Sequence, residues 1–155
     1  MSVAISIISA VIALVAVIVG PMVTWRVAKK QITASVVSNN RQAWINRLRD
    51  EVASLTAITY SLPSTHANKS ISTDDAISEH ARFVRTMQTV KLLINPAEED
   101  HKRLIELAES ASNEITKSIN KGHANASQFE DMAQAMVEQT QQILKREWER
   151  VKVGD

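Results

Sequence analysis

Glu98 and His101 form the residue pair whose type and spacing come closest to a site for chemistry, a Glu-x-x-His pair on a predicted helix. Carboxylate-bridged di-iron bundles use this pair on each of two helices and add a glutamate from each of two other helices. The sequence contains no second Glu-x-x-His pair. Glu98 also suits the start of a helix, because a carboxylate there complements the positive end of the helix dipole. We therefore predict no metal site and no cofactor.

Other side chains with catalytic potential are few. His66 and His123 lie in predicted loops, and His80 follows Glu79 near the start of a predicted helix. Single histidines in such places are usually solvated, and no serine stands at a spacing that would identify a triad. The chain has no cysteine, which removes thiol nucleophiles and thiolate metal ligands, and no glycine-rich phosphate loop. We predict that the protein is not an enzyme.

A cluster of arginine and tryptophan side chains could contact a partner, since these two residue types often anchor interfaces. Its members are Arg41, Trp44 and Arg47. The alternative is structural: Trp44 would fill one end of a helical bundle, and Arg47 would pair with Glu51 one turn later. Three further cations, Arg26, Lys29 and Lys30, follow an apolar segment and could contact anionic lipid, although three charges make only a modest site.

The apolar segment, residues 2–25, contains no ionisable side chain and is rich in Ile, Val, Leu and Ala. A bilayer core needs roughly 20 apolar residues in a helix, so the segment is long enough to cross once. It also has a longer apolar core than a cleaved signal peptide and lacks the basic start. We predict a transmembrane anchor over residues 1–25.

Small residues along the anchor recur at alternating spacings of four and three, which places them on one side of a helix. This small-residue seam consists of Ser2, Ser6, Ser9, Ala13, Ala16 and Gly20. Helices in lipid associate through close backbone approach at small residues, so we predict an oligomer interface at Ser6, Ser9, Ala13, Ala16 and Gly20. Chance alignment of common membrane residues is the alternative, and the spacing does not fix the number of subunits.

Orientation follows from the charged flank. Arg26, Lys29 and Lys30 follow the anchor, whereas no cationic side chain precedes it. The positive-inside rule then puts the C-terminal part in the cytoplasm and the N-terminus outside.

Composition indicates an all-α protein. The chain of 155 residues has three glycines, three prolines and 4% aromatic residues, too few for the turns and strands of a sheet protein. Its formal net charge of +1 argues against nucleic-acid binding. We predict a juxtamembrane stalk or break at residues 26–40, and an antiparallel four-helix bundle over residues 41–155 with a long first helix.

Apolar stripes and capping signals outline the four helices of this bundle. The first helix should end at Pro63, the second should be capped by Ser72 with Asp75 or by Thr73, and the third should begin with Asn95 as its cap. Gly122 should end the third helix, and Ser127 with Glu130 should cap the fourth. The stripes of the first two helices consist of Ile45, Leu48, Val52, Leu55, Ile58 and Leu62, and of Ile77, Ala81, Val84, Met87, Val90 and Ile94.

Two stretches, residues 40–49 (NRQAWINRLR) and 92–101 (LLINPAEEDH), resemble segments of small bacterial single-span membrane proteins of unknown function. The resemblance implies a bacterial inner-membrane location. It implies no activity and no site residue.

Two functions are compatible with these features. The first is a membrane-anchored, self-associating helical scaffold whose cytosolic bundle binds itself or another cytosolic protein. The second is a membrane-active effector, pore-forming or holin-like, in which assembled anchor helices open the bilayer. A span without charged residues offers little to line a wet pore, so the sequence favours the scaffold.

Overall fold

Four α-helices make up the computed structural model, which describes the backbone of residues 2–153 and the side chains of residues 14, 17, 19–29, 31, 32 and 35–152. The helices are α1 (Ser2–Ala67), α2 (Thr73–Leu93), α3 (Glu99–Lys121) and α4 (Ala126–Val153). No strand occurs among the residues so described, which confirms the predicted all-α class.

α1 is unbroken over residues 26–40, where the sequence left a stalk or a break open. Its predicted end at Pro63 is wrong, because the helix continues to Ala67. Proline cannot donate a backbone hydrogen bond, and its ring crowds the preceding turn of a helix. The Pro63 ring is fully buried in exchange, and the Thr65 hydroxyl donates to the Ser61 carbonyl at 2.6 Å across the same turn.

The chain divides into two compact units, with a boundary in the sequence between residues 40 and 41. Most of the predicted anchor lies outside the described side chains, which leave out residues 1–13, 15, 16 and 18. Within the part of the chain whose side chains are described, no helix is both long and apolar enough to cross a membrane.

The second unit is a helical bundle in which residues 41–67 of α1 join α2, α3 and α4 around one core. All six predicted core residues of α1 are buried. The predicted stripe of α2 is partly wrong, since Ile77 is 54% exposed while Ala76 and Phe83 are fully buried. The core cluster includes Leu48, Val52, Leu55, Phe83, Val90, Leu104, Ala108, Ile115, Met136 and Ile143.

Contacts between helix ends show that neighbouring helices run antiparallel. Arg41 at the start of the bundle segment of α1 lies 3.6 Å from Glu147 near the end of α4. Asp100 at the start of α3 pairs with Arg146 near the end of α4. One end of the bundle therefore collects the start of the α1 bundle segment, the α2–α3 turn and the end of α4.

The α2–α3 turn has a different form from the one expected. Ser72 caps α2 as predicted, accepting the Asp75 N–H at 3.1 Å. Asn95 does not cap α3, which begins at Glu99. Its side chain instead accepts the Ala97 N–H at 3.0 Å, closing a local turn that competes with the helix. Glu98 thereby becomes the residue that precedes the helix and faces the end of α4.

The start of α4 also differs from the prediction, and it is earlier. The helix begins at Ala126, so Ser127 lies inside it, and the Ser127 hydroxyl donates to the Asn125 side-chain oxygen at 2.9 Å. α3 ends at Gly122 as predicted, with Gly122 left-handed at φ 63°.

Candidate functional site

A pocket of about 260 Å³ lies at the end of the bundle where the α2–α3 turn meets the end of α4. Its lining combines the two fragments that the sequence singled out, the Arg41–Trp44 cluster and the Glu98–His101 pair. The pocket is lined by Arg41, Trp44, Leu93, Asn95, Glu98, His101, Glu147 and Arg150.

Arg146 connects the acidic side chains beneath this pocket. Its guanidinium donates to Asp100 Oδ2 at 2.5 Å and to Glu98 Oε2, and its Nε lies 3.3 Å from Glu147 Oε1. Three carboxylates from two helices therefore share one cation. The arrangement joins the start of α3 to the end of α4.

The pKa values of two of these groups reflect the pairing. Burial alone would raise the pKa of Asp100, but the hydrogen bond and charge of Arg146 outweigh it and leave the pKa below its ordinary value. Burial opposes the charged form of Arg146 in turn, and its acidic neighbours nevertheless raise its pKa. Both groups are therefore charged at neutral pH.

The Glu147 side chain, in a residue that is 7% exposed, is also contacted by two further arginines. Arg150 Nη1 lies 2.7 Å from its carboxylate, and Arg41 Nε lies 3.6 Å from it. Three arginines thus face three carboxylates around the pocket. The cluster is electrically balanced and is shared by α1, α3 and α4.

His101 is buried beside this cluster. The Asn95 backbone N–H donates to its Nδ1 at 3.0 Å, and Arg146 Nη2 lies 3.5 Å from its Nε2. Its ring centroid lies 6.1 Å from that of Trp44. The side chain therefore fixes the α2–α3 turn.

Trp44 ties the same turn to α1. Its indole Nε1 donates to the Leu93 carbonyl at 2.6 Å, and its ring packs against the core. Leu93 is the last residue of α2, where carbonyl groups lack partners within the helix. The bond therefore satisfies an otherwise unpaired acceptor.

Metal binding by this cluster is opposed by its own charges. Ligand atoms of Glu98, Asp100 and His101 lie within 4.8 Å of one another. Arg146 already engages both carboxylates, so a dication would have to displace a guanidinium at this site. The geometry supports a structural clasp, which we call the Arg146 clasp: Arg146 with Glu98, Asp100, His101 and Glu147.

The other residues singled out from the sequence lie elsewhere. Arg47 pairs with Glu51 at 2.6 Å and does not join the pocket. Arg26 and Lys29 are exposed, as is Gly20, while the side chains of Ser6, Ser9, Ala13, Ala16 and Lys30 lie outside the described residues.

The remaining histidines differ from one another. His66 lies in the last turn of α1, so its placement in a loop was wrong. His80 is half-buried, and its Nε2 lies 2.9 Å from the Ser112 hydroxyl of α3. Burial lowers the pKa of His80.

Sequence reasoning missed Arg146, Glu147 and Arg150. A signal for Arg146 and Arg150 existed, because in an antiparallel pair the acidic start of α3 meets the end of α4, where these two cations lie. The chain has no significant match among protein-family models, curated proteins or solved structures.

Proposed function

We propose that this protein is a membrane-anchored, self-associating helical scaffold. Residues 1–25 cross a bacterial inner membrane with the N-terminus outside, and the bundle binds cytosolic copies of itself or another cytosolic protein. The Arg146 clasp stabilises the bundle and takes no part in chemistry. Nucleic acid is not a partner.

A single observation carries the proposal: large apolar side chains are exposed in the first unit. Among the side chains that the structure describes, ten of this kind between residues 14 and 37 are more than 40% exposed, and four in the bundle are. Contiguous apolar surface of this kind marks membrane or protein contacts. The ten are Leu14, Val17, Val19, Met22, Val23, Trp25, Val27, Ile32, Val36 and Val37.

A hydrogen bond from a hydroxyl to a backbone carbonyl, near the end of the apolar segment, also suits a bilayer. The Thr24 hydroxyl donates to the Gly20 carbonyl at 2.9 Å, within the helix. In lipid no water is available to satisfy such a group, so internal pairing is required. Arg26 and Lys29 follow at once, which supports a cytoplasmic C-terminal side.

Self-association is supported by the small-residue seam. Gly20, its one described member, is exposed, and a Cβ added there would meet nothing within 4 Å. A second helix could therefore approach its backbone closely, as small-residue packing in lipid requires.

Fractionation and reporter fusions test the anchor. Full-length protein should stay in the membrane fraction after an alkaline wash, and Val11→Arg with Val15→Arg should release it, because each charge is costly in the bilayer core. Val11→Leu with Val15→Leu is the matched control and should be retained. An active periplasmic phosphatase fused at the C-terminus would refute the orientation.

Cross-linking in membranes tests the assembly. Ala13→Leu with Ala16→Leu keeps the segment apolar but adds bulk to the seam, so cross-linking should fall while membrane retention stays. The Val11→Leu and Val15→Leu pair should leave cross-linking intact. Rapid depolarisation of cells on expression, reported by a membrane-potential dye, would instead support the effector function and contradict the scaffold.

A further inference from the structure

Cationic and apolar side chains share one exposed face of α1, at the C-terminal end of the predicted anchor and the turn that follows it. At about 100° per residue, Met22, Trp25, Arg26 and Lys29 fall within an arc of roughly 100°. Met22 and Trp25 are 54% and 66% exposed, and Arg26 and Lys29 are exposed as well. We call these four residues the basic interfacial face.

The geometry of Trp25 and Lys29 suits the boundary between lipid and water. Lys29 Nζ lies 5.6 Å from the centroid of the Trp25 ring, within the range of a cation–π interaction. Tryptophan favours the headgroup level of a bilayer, where its ring meets both apolar and polar surroundings. The face rises about 10 Å from Met22 to Lys29, comparable with the depth of a headgroup layer.

Acidic and basic residues are distributed differently along the sequence. Residues 1–49 contain six cations, namely Arg26, Lys29, Lys30, Arg41, Arg47 and Arg49, and no acidic residue. The remaining 12 of the 18 Lys and Arg, and all 17 Asp and Glu, follow. The side chains of the first 49 residues therefore carry only positive charge, and Arg26 and Lys29 are among the cations nearest the anchor.

This charge distribution decides between two occupants of the face. A second copy in parallel would bring Arg26 and Lys29 against the same two cations. An anionic phospholipid carries a phosphate, which arginine and lysine bind well. Trp25 and Met22 meet the adjoining acyl chains.

We infer that the basic interfacial face binds the headgroups of anionic phospholipids through Arg26 and Lys29, with Trp25 at the lipid boundary. The inference rests on the proposed membrane anchor, which brings the face to the headgroup layer. It adds a preference for anionic phospholipids, which a transmembrane anchor alone does not require.

Native mass spectrometry of full-length protein in mild detergent tests this, with phosphatidylglycerol and phosphatidylcholine offered in equal amounts. Wild type should retain phosphatidylglycerol preferentially. Arg26→Gln with Lys29→Gln should lower that retention by roughly fivefold for each cation removed, and phosphatidylcholine retention should not change. The preference should also weaken at high salt, because ions screen exposed charges.

The matched control removes two exposed cations of α3, Lys102→Gln with Arg103→Gln, and should leave lipid preference unchanged. Membrane retention after an alkaline wash is measured on the same proteins. If wild type and both double variants stay in the membrane fraction, but wild type takes up both lipids equally, the inference about lipid is wrong and the proposed anchor stands. If wild type is washed off, the proposed anchor itself fails and the inference falls with it.

A third outcome would identify the other occupant. If Arg26→Gln with Lys29→Gln changes cross-linking between copies while phosphatidylglycerol retention stays at the wild-type level, the face is an interface between copies. That result would overturn the assignment to lipid.

Discussion

Arg146 is the single side chain on which the end of the bundle depends most. It is 34% exposed, and it pairs with Glu98 and Asp100, whose side chains are 26% and 24% exposed. Arg146→Met would remove the guanidinium that Asp100 and Glu98 share, leaving Glu98 with Arg150 at 3.9 Å. We expect a loss of about 1–2 kcal/mol in the free energy of unfolding, less than for a fully buried pair because water screens part of the interaction.

Urea titration of the full-length protein in detergent, followed by tryptophan fluorescence, measures this loss. Arg103→Met is the control, since Arg103 and its partner Glu106 are 60% and 62% exposed and should contribute less than about 0.5 kcal/mol. Equal stabilities of the two variants would show that the clasp is no stronger than a surface ion pair.

His80 should make stability depend on pH in a predictable direction. Burial lowers its pKa below the ordinary value of 6.5, so the unfolded chain binds a proton more readily than the folded bundle. The stability that His80 contributes is present above about pH 6.5 and is lost as pH falls toward its folded pKa. His80→Gln should therefore lose less stability between pH 7.5 and 5.5 than wild type, in urea titrations at a series of pH values. Parallel curves would contradict the assignment.

At the residue scale, the sequence identified members of the clasp but not their role. Glu98 and His101 share a local spacing, so inspection of the chain finds them. Arg146 lies 48 residues beyond Glu98, and their contact depends on the register between α3 and α4. Charge and apolar pattern do not determine that register, so the guanidinium that contacts Glu98 and His101 could not be predicted from their spacing.

The ends of the helices were predicted well where one residue type decides the backbone. Gly122 is such a case, because its left-handed conformation at φ 63° is strained for other residues. Asn95 is a contrary case, because its side chain could either cap α3 or form a turn, and the turn occurs. Pro63 is a second contrary case. The hydrogen bond that proline lacks predicts a helix end there, but burial of the Pro63 ring offsets that loss.

Gly122→Ala should destabilise the bundle by about 1 kcal/mol, the usual cost of left-handed backbone in a residue with a Cβ. The added methyl group would meet nothing within 4 Å, so the cost is conformational and not steric. Urea titration measures it. Asn120→Ala, two residues earlier on the exposed side of α3, should be neutral or slightly stabilising.

Gly122→Asn separates the backbone effect from any other role of the glycine. Asparagine adopts the left-handed region more readily than alanine, so this variant should be more stable than Gly122→Ala. If both variants match wild type, the C-terminal cap of α3 contributes nothing to stability.

At the scale of the whole molecule, the two units differ in how they cover apolar surface. The bundle has a core of its own, with Leu48, Leu55, Phe83 and Met136 buried among its four helices. Residues 14–37 leave large apolar side chains exposed. Amphipathic stripes allowed the bundle to be predicted, but a segment that is apolar on all sides does not specify its surroundings, so its environment has to be measured.

We therefore expect a fragment lacking residues 1–25 to fold as a soluble helical domain. Its core is contained in residues 41–153, and a domain of this size can bury enough apolar surface to be stable alone. Circular dichroism should show high helicity and one cooperative melting transition. Replacing the fully buried Leu104 with Ala in the fragment should lower the free energy of unfolding by about 2–5 kcal/mol, as core truncations do, and so lower the melting temperature, whereas exposed Leu92→Ala should not. A broad transition insensitive to Leu104→Ala would mean that the core forms only when copies associate.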